Sequence, residues 1–118
     1  MYRSSYRIYD PQSYKYTGEG ETLPLEIALQ HIFVRTKLTA SGRSPITARL
    51  LVDTGAATAL RLTKQFTQAS KLLPPADKLT SVPECGLGGY AKERAWEGTL
   101  EALQLGRYNV SNPLTVFS

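Results

Sequence analysis

The stretch Leu50-Leu51-Val52-Asp53-Thr54-Gly55-Ala56-Ala57-Thr58 sets an acid behind three large apolar residues and a run of small residues behind the acid. Just upstream, Ile46, Ala48 and Leu50 alternate with Thr47 and Arg49, the period of two of a half-buried strand. That strand is expected to run through Leu51 and Val52 into a buried position and to end at Asp53. A buried carboxylate is costly unless hydrogen bonds or a partner charge compensate, so an Asp there needs a reason. Gly55 permits a backbone conformation or a close approach that a side chain would block. The plainest reading is structural: the Asp caps a turn, with Thr and Gly as turn formers.

The flanking residues extend the β pattern. Leu23, Leu25 and Ile27 alternate with Pro24, Glu26 and Ala28, giving one apolar face. From His31 to Ala40 a second strand is expected, with Ile32, Val34, Thr36 and Leu38 on one face and Arg35, Lys37 and Thr39 on the other. Ser41-Gly42-Arg43-Ser44-Pro45 reads as the turn between this strand and the next. The one short helix runs from Thr63, its cap, to Leu72, and Pro74-Pro75 stops it. Short strands follow around Leu79 to Val82 and Ala91 to Leu105, then a turn over Gly106 to Asn109 and a last strand from Leu114 to Phe117. The expected fold class is all-β, mainly antiparallel, with one short helix and no internal repeat.

Residues 1–20 differ from 21–118. Five of the seven Tyr fall there (Tyr2, Tyr6, Tyr9, Tyr14 and Tyr16), around an Asp10-Pro11 turn and a Gly18-Glu19-Gly20 breaker. They read as a Tyr-rich strand or hairpin ahead of the main domain. Interleaved Tyr and Arg also suit stacking on nucleic-acid bases, but no wider basic patch accompanies them.

Composition bounds the rest. A chain of 118 residues, 42% hydrophobic, suffices for one domain with a core and leaves no room for two. The net charge of +4 is spread without a block of like charge, so neither a nucleic-acid nor a membrane partner is expected. No apolar run approaches the roughly 20 residues of a membrane helix. The start, Met1-Tyr2-Arg3-Ser4-Ser5, is polar, unlike a signal peptide. The chain therefore reads as cytoplasmic or as a piece excised from a longer bacterial protein, exported or not, and its compartment is open. A single Cys (Cys85) excludes an internal disulfide framework, and with a single His (His31) it argues against multi-ligand zinc sites. Asp occurs only at positions 10, 53 and 77.

The Asp53 segment resembles the active-site loop of the aspartic peptidases, above all the retropepsin-like branch. There an apolar pair precedes Asp-Thr-Gly-Ala at a strand end, with small residues and an apolar one behind. Leu51, Val52, Asp53, Thr54, Gly55 and Ala56 match position by position, and Leu60 supplies the later apolar residue. A helix near Thr63 follows as in bacterial members. Cys85-Gly86-Leu87-Gly88-Gly89 lies where the family places the flap that covers the substrate. In layout the resemblance spans Leu23 to Phe117. It implies a retropepsin-like lobe, a closed or partly open barrel, acting on a peptide or protein substrate without cofactor or metal.

The implied chemistry is general acid–base hydrolysis by two carboxylates that share one proton. The ionised member takes a proton from the attacking water, and the protonated member donates to the peptide carbonyl oxygen. The pair titrates as a unit. The resemblance makes Asp53 one of the two, with Thr54 bonding across to a matching loop and Gly55 keeping that approach open. Ala56, Gly86, Gly88, Gly89 and Tyr90 would contact substrate, and Trp96 would face substrate or serve packing. Ala56 replaces the Ser or Thr of many pepsin-like members, whose hydroxyl favours the charged carboxylate. The expected optimum is therefore weakly acidic to neutral.

Neither Asp10 nor Asp77 is followed by Thr-Gly, so the second carboxylate is expected from a homodimer mate or from another lobe of a longer parent chain. A family lobe normally closes with a strand carrying two apolar residues and Gly, then a short helix under the active-site loop. This sequence ends at Val116-Phe117-Ser118, so a C-terminally truncated lobe is expected. The reading from another class is a non-catalytic β domain used for dimerisation or for peptide binding by strand addition.

Overall fold

The computed structural model describes residues 8–86 and 88–118, with Cys85, Tyr90 and Ala91 described by backbone alone. Its elements are β1 (Leu25–Ala28), β2 (His31–Thr39), β3 (Ile46–Leu51), β4 (Leu60–Leu62), α1 (Lys64–Ser70), β5 (Thr80–Gly86), β6 (Gly89–Thr99), β7 (Ala102–Leu105), β8 (Tyr108–Ser111) and β9 (Leu114–Phe117). The chain is mostly β with one α-helix, as the alternating pattern predicts.

The period-two run of β2 makes it the spine of the first sheet. β3 lies along one edge of β2, from Phe33↔Leu51 to Leu38↔Ile46. The opposite edge is shared: β1 takes the end at His31, and β7 takes the end at Thr39. β8 continues outward from β7. All these pairings are antiparallel. The second sheet has the order β4-β9-β6-β5. Its β4 and β9 run parallel, with Leu60 opposite Thr115 and Leu62 opposite Phe117, a pairing no hairpin can make and a long connection must supply.

The closed form of the expected barrel is not what forms. Each sheet is open, and among the described residues no strand ladder joins one to the other. Closure requires every edge to be paired. Here β3 and β8 pair only inward on the first sheet, and β4 and β5 only inward on the second.

The two sheets share one core. Leu38 and Ala48 come from the first, Leu60, Leu62 and Phe117 from the second, with Leu72 and Leu100 between. Thr36 is polar on this apolar face, and its hydroxyl donates to the Ala48 carbonyl at 3.3 Å, so its burial leaves no orphan. In β6, Gly98 is required by proximity: a Cβ there would lie 2.9 Å from Leu79 and 3.1 Å from the Lys78 carbonyl.

α1 begins as expected, with the Thr63 hydroxyl accepting from Phe66 N–H at 3.3 Å. It ends sooner than expected. Lys71 enters the left-handed region at φ 54°, closing the helix ahead of Pro74-Pro75. The expected turn over Gly106 to Asn109 shrinks to Gly106-Arg107, because Tyr108 and Asn109 pair into β8. Of the expected N-terminal strand or hairpin, residues 1–7 lie outside the described residues, and 8–20 form no strand. Over 8–20 the Asp10 turn does form: Oδ1 accepts from Gln12 N–H at 3.0 Å and Oδ2 from the Ser13 hydroxyl at 3.2 Å. Its Tyr side chains meet each other instead of a paired strand, Tyr9 and Tyr14 lying 4.6 Å apart.

Candidate active site

β3 delivers Asp53. Its pairing with β2 continues one step past Leu51, where Val52 N–H donates to the Ile32 carbonyl at 2.9 Å. The chain then turns through Thr54-Gly55 and resumes as β4 at Leu60. The turn is held by the acid itself. Asp53 Oδ1 accepts from Gly55 N–H at 2.9 Å, and the Asp53 carbonyl accepts from Ala56 N–H at 3.4 Å. This is the local bond that fits Asp at the first position of a turn.

A Cβ at Gly55 would lie 3.4 Å from Asp53 Oδ1, at the edge of ordinary van der Waals contact, and Gly55 is not among the glycines at positive φ. In the single chain, then, neither space nor backbone conformation demands glycine here. Among the described contacts Oδ2 carries no partner, and the ion pairs of the described residues all use glutamates: Arg35 and Arg49 with Glu26, and Arg61 with Glu84. The result is a positioned carboxylate with one oxygen tied to backbone.

One expectation is overturned. Leu51, Val52 and Asp53 are not buried: Leu51 is 48% and Val52 46% exposed, and Asp53 through Ala57 all face solvent. The alternation correctly assigns a strand, but an apolar strand end is buried only if a second layer reaches it, and among the described residues none does.

The expected flap glycines fall where a hairpin tip needs them. Gly86 pairs with Gly89 as β5 turns into β6, with Gly88 between. Gly89 sits at φ 95° with open space around it, a conformation costly for a residue with a Cβ. Gly88 and Gly89 are exposed. Tyr90 is paired with Cys85, while its side chain, like that of Cys85, lies outside the described residues. Among the described residues no hydrogen bond joins this tip to the Asp53 loop.

The remaining candidates have ordinary roles. His31 is exposed, its Nδ1 donating to the Leu29 carbonyl at 2.7 Å. Trp96 is 47% exposed on β6, opposite Phe117. Asp10 is engaged in its own turn, and Asp77 lies in the 3-10 turn Ala76–Lys78. Among the described residues no group of three or more His, Cys, Asp or Glu is arranged to hold a metal ion. Among the described residues, too, no helix is long and apolar enough to cross a membrane. Sequence reading missed β4. Its signal was the Leu60/Leu62 alternation across Arg61, both leucines buried, which ties the far side of the Asp53 loop into the core.

Compared with protein-family models, with curated proteins and with solved structures, the chain gives no match.

Proposed function

We propose that this chain is one lobe of a retropepsin-like aspartic endopeptidase and supplies one carboxylate, Asp53, of a water-activating pair. The observation that carries the reading is the Asp53 turn: a solvent-facing carboxylate at a strand end, with Oδ1 fixed by Gly55 N–H and Oδ2 unpartnered among the described contacts. The exposed Asp10 makes the same bond to Gln12 N–H, so the bond by itself is turn chemistry. It supports the reading because it holds in place, at the end of β3, the carboxylate of the Asp-Thr-Gly-Ala sequence, as an acid–base pair requires. The glycine-tipped β5–β6 hairpin supports the reading as a cover for substrate.

In this reading Asp53 and a second carboxylate from outside the chain share one proton. The charged member deprotonates water, and the neutral member protonates the carbonyl oxygen. Thr54 holds the two loops together, and Ala56, Gly86, Gly88, Gly89 and Tyr90 border the substrate. No cofactor takes part. The alternative is a non-catalytic β domain for dimerisation or peptide binding. The edges of β3 and β5, unpaired among the described residues, favour it, since an extended peptide can add to such an edge.

The deciding experiment compares peptide cleavage by the wild-type chain and Asp53→Asn. The peptidase reading expects a loss of at least about 100-fold; equal cleavage by the two proteins removes Asp53 from the reaction. Because Ala56 offers no hydroxyl to the carboxylate, the pH–rate profile is expected to peak in the weakly acidic to neutral range. A peak below about pH 3 would contradict that role for Ala56.

A further inference from the structure

We infer that the cleft between the β2–β3 turn and the end of α1 binds a small apolar carboxylate, with Arg43 and Lys71 holding its head group. The cleft lies at the Leu38–Ile46 end of the β2–β3 ribbon, away from Asp53, and the inference is independent of the peptidase reading.

Three segments make the cleft. The β2–β3 turn forms one wall and carries Arg43, the end of α1 and the chain through Pro75 form a second, and Leu100, just after β6, closes it. The enclosed space is about 550 Å³, within the range of small-molecule sites. Its floor belongs to the core, since Leu72 and Leu100 are each 2% exposed. Leu73, 49% exposed, and Pro74-Pro75 add apolar wall that a ligand can cover. Apolar lining with a few convergent polar groups is the usual make-up of a ligand site.

The polar side chains of the lining are neutral or cationic, with no carboxylate among them. The hydroxyl of Thr67 is already used, donating to the Thr63 carbonyl at 2.9 Å. Arg43 Nη1 donates to the Lys71 carbonyl at 2.7 Å, which fixes the guanidinium on the cleft. Its other N–H groups have no partner among the described contacts, and the ion pairs of the described residues use neither Arg43 nor Lys71. A guanidinium held through one nitrogen presents the rest of its fork to a carboxylate. Lys71 sits at φ 54°, a helix-ending position where glycine is the usual residue. A lysine there accepts backbone strain and sets a second cation on the same cleft.

Charge and surface together name the occupant. Two cations without a carboxylate call for an anion. The apolar walls call for an apolar body behind it, so an inorganic anion fits less well than an amphiphilic one. Residues 1–7 include Arg3 and Arg7 and no acid, which makes the start of the chain a poor occupant. A second copy, at net charge +4, is no better. A free fatty or aromatic acid and the C-terminal residue of a peptide share the chemistry required, one carboxylate on an apolar body.

The test is an NMR titration of the full chain with octanoate and with an N-acetylated tripeptide ending in leucine, which separates those two sources. Saturable shifts of the amides at 40–43, 67–73 and 99–100 are expected from at least one of them, with a Kd below about 1 mM. The tighter binder identifies the source; no shift of these amides by either at about 10 mM overturns the inference. Octanamide should bind at least about tenfold more weakly than octanoate. Equal binding of the two, or equal shifts from inorganic phosphate, would overturn the apolar carboxylate as the ligand. Arg43→Gln keeps a donor for the Lys71 carbonyl and should weaken binding at least about tenfold. Lys71→Gly should weaken binding about threefold while raising the urea midpoint, because glycine suits the positive φ. A lysine with a structural role alone would leave the affinity unmoved. Lys37→Ala, an exposed cation on β2, should leave binding unchanged. Binding indifferent to both cleft variants overturns the inference.

Discussion

The two ends of the β2–β3 ribbon carry the same apolar alternation and meet different fates. At the Leu38–Ile46 end the core face is closed by Leu62, Leu72, Leu100 and Phe117 of the shared core. At the Ile32–Val52 end the same face stands in solvent, and there the chain turns through Asp53. The pleat sets which way a side chain points. Whether it is buried depends on what lies opposite. One end holds the fold together; the other carries the Asp53 turn and, among the described residues, no cover.

That contrast can be broken by substitutions read in urea melts at dilute protein. The largest expected effect is Leu38→Ala, which should cost about 2–5 kcal/mol because it empties a fully buried site. A loss under about 1 kcal/mol would mean that the shared core is not closed at this end. Gly98→Ala probes the opposing wall, where a methyl would meet Leu79 and the Lys78 carbonyl; about 1–3 kcal/mol of destabilisation is expected. Thr63→Ala removes the side-chain cap of α1 and should cost about 1 kcal/mol.

The exposed end should answer with smaller effects and, at the tip, with the opposite sign. Leu29 and Gln30, between β1 and β2, sit at φ 50° and 63°. Replacing them by Asn-Gly, which suits these positive values, is expected to stabilise the chain by about 1 kcal/mol. Destabilisation would indicate that the leucine makes a contact in the isolated chain. Ile27→Thr, at a position 80% exposed, is expected to move the midpoint least, by under about 0.5 kcal/mol. Together these values would show whether the two ends differ in stability as they differ in exposure.

Much of the fold was legible because alternation is a local signal. β2, β3 and β9 fall within a residue or two of the expected segments, and Thr63 caps α1 as its position predicts. The errors have local causes too. β8 was read as part of a turn because the turn formers Gly106 and Asn109 bracket its start, while the alternation of Tyr108 and Val110 with Asn109 and Ser111 spans only four residues. The strand content expected of the Tyr-rich segment failed over residues 8–20, since β-favouring residues make a strand only when a neighbour pairs with them. The stop of α1 was assigned to Pro74-Pro75, yet Lys71 had already turned left-handed, a position that residue identity alone does not mark.

At the candidate site, the motif Asp53-Thr54-Gly55-Ala56 was readable, and so was the turn-forming use of the Asp, because both depend on residues two or three apart. The burial of Asp53 was misjudged, because burial depends on a layer that the segment does not encode. The amino-acid sequence by itself determined β2, β3 and β9, the helix cap, the glycine hairpin tip and the acid at the end of β3. Only the tertiary structure decided that β4 and β9 pair in parallel, that the sheets stay open, and that the first sheet overhangs the second beside Asp53. Pleat direction and turn chemistry are settled within a few residues; layer overlap is settled by segments more than fifty residues apart, as in the Leu60↔Thr115 pairing.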